Sequence, residues 1–165
     1  MKIATYAGAT ISVAALLGLL LPTNVMAWGG TEGCTPGYWK NHADTNPRIN
    51  ELSGISLKQA LFVITGETLD FIPSDLTLDQ AVNLQGGGEN AFMRHAAAAV
   101  YNIWYGYDIV NGVPLIDYVE PNADFMDIIQ MAATGDAQDI EDAKDLLDAA
   151  NNAGCPIDSF GNPVN

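Results

Sequence analysis

The chain holds two cysteines, Cys34 and Cys155, and whether they are joined constrains its fold more than any other feature. What precedes them bears on the compartment. Lys2 is the only charged residue before Glu32, and residues 11–21, ISVAALLGLLL, form an apolar run followed by the helix-ending Pro22. This is the layout of a secretory signal peptide, with Val25 and Ala27 at the −3 and −1 positions of a cleavage after Ala27. An uncleaved anchor or pilin-type helix is the competing reading, but the run falls short of the roughly 20 apolar residues that span a bilayer. Trp28 is then the expected first mature residue. Export delivers both cysteines to an oxidising compartment, so a Cys34–Cys155 disulfide is the default expectation. Closing a loop of about 120 residues restricts the unfolded chain by roughly 4–5 kcal/mol in the loop-entropy model. Two other uses stay open. A zinc site from Cys34, Cys155, His42 and His95 has suitable ligand types without the short spacings of structural zinc motifs, and a thiol pairing between subunits would suit a polymer.

Removing residues 1–27 from 165 leaves 138, and the loss of Lys2 takes the formal charge from −14 to −15. With 16% Asp, Glu, Lys and Arg against 48% apolar residues, the chain has the balance of a folded protein. Twenty acids against six bases repel phosphate backbones and anionic headgroups. Nucleic acid is therefore not an expected partner, nor is a membrane after signal cleavage.

The spacing of apolar residues and caps predicts a mostly α fold: one compact domain, residues 28–165, of about five helices with short extended ends. Residues 28–55, rich in Gly, Pro, Asn, Thr and Asp, read as an ordered aromatic loop that lays Tyr38 and Trp39 across a helical core. Ser56 caps a helix with Leu57, Ala60, Leu61 and Ile64 inward and Gly66 at its end. Thr77 caps a shorter one, ended by Gly86, Gly87 and Gly88. Asn90 opens the longest, AFMRHAAAAVYNIWY, whose Ala96, Ala97, Ala98 and Ala99 let other helices approach closely and favour the helix. Asn122 caps a fourth with Phe125, Ile128, Ile129 and Ala132 inward, ended by Gly135. Asp136 caps a fifth with Ile140, Ala143, Leu146, Leu147 and Ala150 as its stripe, and Gly154 stops it. Between the third and fourth, Asn111–Gly112 signals a small hairpin, limited to an edge by Pro114.

No assembled catalytic set is legible. His42 and His95 would need to converge with a carboxylate such as Asp44 or Glu89, and no serine or cysteine nucleophile motif accompanies them. The bland alternative, favoured here, has each histidine pinning the aromatic loop to the helix by hydrogen bonds. Asp139, Asp142 and Asp145 recur at helical spacing without the alternation of an EF-hand, so a solvated face is expected, one that divalent cations can bridge between copies. The three glycines before Glu89 lack the lysine and hydroxyl of a phosphate loop. Tyr38, Trp39, Tyr101, Trp104 and Tyr105 could stack on a sugar, although core packing is the commoner fate of such rings.

Three blocks carry a resemblance: Cys34 through Gly37, Tyr38, Trp39, Lys40, Asn41 and His42; the stretch 84–99, with Asn90, Arg94 and His95; and residues 149–156 ending in Cys155 and Pro156. Together they resemble secreted bacterial and archaeal domains with a Cys-x-x-Gly-Tyr-Trp-Lys-Asn-His signature, a largely uncharacterised family. The resemblance covers almost the whole mature chain and implies an extracellular or cell-surface domain in which the three blocks form one structural unit; it brings no reaction or cofactor with it. The expected function is that of an exported structural or interaction protein, not an enzyme: a subunit of a filament, surface layer or matrix that self-associates or binds other surface proteins. The alternatives are a secreted metal-dependent hydrolase and a sugar-binding module, both built on the aromatic loop and His42 and His95.

Overall fold

The computed structural model describes residues 32–42, 47–105, 107–108, 113–114, 116, 118, 124–160, 162 and 164. The signal segment, the expected N-terminus Trp28, Asp44, the Asn111–Gly112 turn and the expected cap Asn122 lie outside them. The described chain is a helical domain of seven helices: α1 Pro36–His42, α2 Pro47–Ser53, α3 Leu57–Thr65, α4 Leu78–Val82, α5 Glu89–Tyr105, α6 Asp124–Ala132 and α7 Ala137–Asn151. A two-residue hairpin follows α5, β1 Tyr107–Asp108 antiparallel to β2 Val113–Pro114, with Pro114 opposite Tyr107.

The five expected helices are α3 to α7. The segment read as an aromatic loop is instead largely helical, in α1 and α2. The physical reason lies in two prolines, each at the first position of its helix, where the missing N–H costs nothing and φ is already set. Thr35 completes the start of α1: its Oγ1 accepts from the Tyr38 N–H at 3.1 Å and its carbonyl from the Trp39 N–H at 3.2 Å. Trp39 still reaches the core as expected, fully buried and stacked on Tyr101 with ring centroids 5.2 Å apart.

Elsewhere the local signals act at the positions named. Thr77 forms a reciprocal capping box with Gln80, Asp136 accepts from the N–H groups of Gln138 and Asp139, and Gly66 ends α3 in the left-handed region at φ 78°. Ser56 sits at the N-cap of α3, but its hydroxyl donates to the Ser74 carbonyl, tying α3 to the segment before α4. Asn90 is one residue inside α5; Gly88 opens the helix, its carbonyl accepting from the Phe92 N–H. The tail is turn-rich as expected but folds back instead of extending: Asp158 Oδ1 accepts from the Phe160 and Asn162 N–H groups, and the Val164 N–H returns to the Pro156 carbonyl.

α5 is the axis of the fold. It touches α1, α2, α3, α4, α7 and β1, and every residue from 95 to 102 is buried, so it is wrapped all round and does not lie on a surface. The small side chains of residues 96–99 are what let so many neighbours approach one helix. α6 reaches the body of the domain through α7 and α3, with Phe125, Ile128, Ile129 and Ala132 inward. Ile140, Ala143, Leu147 and Ala150 of α7 are buried, and Asp142 and Asp145 are exposed.

Candidate functional site

The first and third signature blocks meet at one place, where the segments around Cys34 and Cys155 are fastened to the C-terminal half of α5, and the second block reaches it through the His95 carbonyl. Cys34 and Cys155 are joined in a disulfide, with Cα atoms 4.4 Å apart. One residue before each cysteine, the Gly33 N–H donates to the Gly154 carbonyl at 2.8 Å. Only glycine fits at residue 33, because a Cβ there would lie 2.2 Å from the backbone oxygen of Ala150.

Behind the disulfide lies a buried polar cluster centred on Asn102 of α5 and Asn151, the last residue of α7, both fully buried. The Asn102 side-chain amide pairs with the backbone of Cys34 as a neighbouring strand would: its Oδ1 accepts from the Cys34 N–H at 2.9 Å and its Nδ2 donates to the Cys34 carbonyl at 3.0 Å. The Trp39 indole N–H is shared between that carbonyl and Asn102 Oδ1, at 3.1 and 3.2 Å. Asn102 Nδ2 also donates to Asn151 Oδ1 at 2.9 Å; the Tyr118 hydroxyl donates to the same oxygen, and Asn151 Nδ2 donates to the His95 carbonyl at 3.0 Å. Every hydrogen bond here except the one from Trp39 to the Cys34 carbonyl spans a long stretch of sequence. In a dry interior such a satisfied cluster fixes one arrangement of the chain, because any other would leave polar groups unpaired. Burial pushes the Tyr118 hydroxyl well above the usual tyrosine range, which keeps it neutral and able to donate.

The remaining signature residues also spend their polar groups locally. Arg94 reaches back from α5 to the carbonyls of Leu84 and Gly86, and Asn90 Nδ2 donates to the Gln85 carbonyl, so both brace the glycine turn in which Gly86 and Gly88 hold positive φ. Asn41 Nδ2 donates to the Gly37 carbonyl within α1. His42 stacks on the Tyr38 ring with centroids 4.4 Å apart, and its Nδ1–H donates to the Tyr38 carbonyl. Gly37 and Lys40 are exposed. Tyr38 reaches the other end of the chain, where its hydroxyl donates to the Asp158 carbonyl.

His95 is buried where α5 meets α7. Its Nδ1 has no hydrogen bond and lies 3.5 Å from Asp148 Oδ1, within ion-pair reach only. Burial pulls its pKa below the ordinary value, Asp148 opposes that, Arg94 and Lys144 add to the lowering, and Asp145 opposes it weakly. A histidine held neutral in the fold and near 6.5 when unfolded binds fewer protons folded than unfolded between those values, so stability falls as pH drops below about 6.5 and levels off below the folded value. Urea unfolding at a series of pH values measures this. His95→Leu is expected to remove a slope of up to about 1.4 kcal/mol per pH unit in that window.

The disulfide takes both cysteines out of any metal set, and among the described residues no group of three or more His, Cys, Asp or Glu is arranged to hold an ion. His42 faces Tyr38 on α1, His95 faces α7, and Glu89 is exposed at the start of α5. Of the site residues, Asn102 and Asn151 escaped sequence reasoning. Asn102 lies seven residues after His95 and four after Ala98 in the longest helix, and its partners are distant in sequence. Among the described residues no helix is long and apolar enough to cross a membrane. Comparison with protein-family models, with curated proteins and with solved structures found no match.

Proposed function

We propose that this protein is an exported, non-enzymatic structural or interaction domain, working outside the cell as a subunit of a filament, surface layer or matrix, through self-association or contact with other surface proteins. The observation that carries the reading is where the signature's polar groups go. Trp39 and Asn151 join Asn102 of α5 in a fastener that holds both ends of the domain against α5, and Asn90 and Arg94 turn to the backbone of the glycine turn before that helix. A domain locked in this way suits a load-bearing building block, and the disulfide suits an oxidising exterior. The exposed carboxylates of Asp142 and Asp145 supply a surface that divalent cations can bridge between copies.

Negative-stain microscopy of the mature protein, with and without calcium and over a range of salt, tests the reading. Ordered polymers or a lattice are expected. Monomeric particles under every condition, with none assembled at the cell surface, would contradict it.

A further inference from the structure

A cleft of about 540 Å³ opens between the α2–α3 turn, α3, the start of α4 and the end of α5. The pairing of Ser56 with Thr77 shapes it: Leu57 donates to the Leu76 carbonyl and Leu78 to the Ile55 carbonyl, which draws the starts of α3 and α4 together. Both hydroxyls are committed, Ser56 to the Ser74 carbonyl and Thr77 to its capping box. Three other lining residues are not. The Trp104 indole N–H, the Gln59 amide and the Asp75 carboxylate make no hydrogen bond or ion pair among the described residues. Ile55 and Val63 add an apolar wall, and no lining residue is basic.

We propose that this cleft is a binding site for a neutral sugar unit of an oligosaccharide. An indole provides the flat apolar surface on which a pyranose packs its C–H face. An amide that both donates and accepts and a carboxylate that accepts twice suit adjacent hydroxyls, and a neutral ligand is selected because Asp75 and the domain's negative field repel phosphate and carboxylate. The volume falls within the usual range for small-ligand sites. Of the five aromatic residues suited by type to stack on a sugar, Trp39 and Tyr101 are consumed by the core, whereas Trp104 lines this cleft. The site uses neither His42 nor His95, and it stands apart from self-association: a subunit could hold a surface glycan whether or not it polymerises.

Saturation-transfer NMR tests it, because the signal is read on the sugar's protons and works on free or assembled chains. The probes are maltotriose, cellotriose and mannotriose, with choline as a cationic comparison. At least one trisaccharide is expected to receive saturation. Gln59→Ala is expected to weaken that binding roughly 3–10-fold and Asp75→Ala more than about 10-fold. Both residues are exposed, so these variants keep the fold, and Trp104→Phe should retain part of the binding that Trp104→Ala loses. Absence of transfer to all three sugars, transfer that survives Gln59→Ala and Asp75→Ala unchanged, or transfer to choline alone would overturn the proposal.

Discussion

Replacing Asn102 by alanine is expected to destabilise the domain by about 2–4 kcal/mol, a large share of what a domain this size has to lose. The reason is an inventory of partners. Without the Asn102 amide, the Cys34 N–H, buried with its residue, has no acceptor within the cluster, while the Cys34 carbonyl keeps only the Trp39 indole and Asn151 keeps only Tyr118 and the His95 carbonyl. To the cost of the orphaned N–H is added the cavity left between α5 and the chain start. Asn102→Leu separates the two, because leucine restores the volume but not the hydrogen bonds. Urea unfolding should therefore find Asn102→Leu nearly as unstable as Asn102→Ala. Recovery of full stability by leucine would mean that volume, and not pairing, matters at this position.

The Cys34→Ser, Cys155→Ser double variant carries the other large effect, a loss of about 4–5 kcal/mol in the loop-entropy model, since 121 residues separate the two cysteines. That effect acts on the unfolded chain, which becomes free to expand. The folded chain keeps its ends in place through Asn102 and through the Gly33–Gly154 hydrogen bond. Two signatures follow: the midpoint of urea unfolding falls, and the dependence of stability on urea steepens because more surface is exposed on unfolding. A loss below about 1 kcal/mol would show that the unfolded chain already holds its ends near one another.

How much of this was legible can be judged from single residues. Thr77, Asp136, Gly66 and Gly135 act within four positions of themselves, and each does in the fold what its chemistry suggests on paper. The stripes of α6 and α7 were readable for the same reason, since 3.6-residue periodicity is local. The disulfide was readable from the signal-peptide layout and a count of two. The segment around α1 and α2 reads as loop because its many turn-forming residues outweigh Pro36 and Pro47, each of which begins a helix. Asn102 was illegible for a different reason: its partners lie 68 and 49 residues away, and an asparagine in a helix looks like a solvent-facing residue until those partners are in place. The cleft at Trp104 depends likewise on the Ser56–Thr77 pairing, which joins residues with no local reason to meet.

The disulfide, Asn102 and Asn151 form a fastener in which Asn102 holds the Cys34 backbone inside the domain. Native-state hydrogen exchange at the Cys34 amide tests it most directly. Exchange there is predicted to require opening of the whole domain, with protection equal to that of the amides of residues 97–100 at the centre of α5. A Cys34 amide that exchanges at the rate of an exposed tail residue would contradict the account.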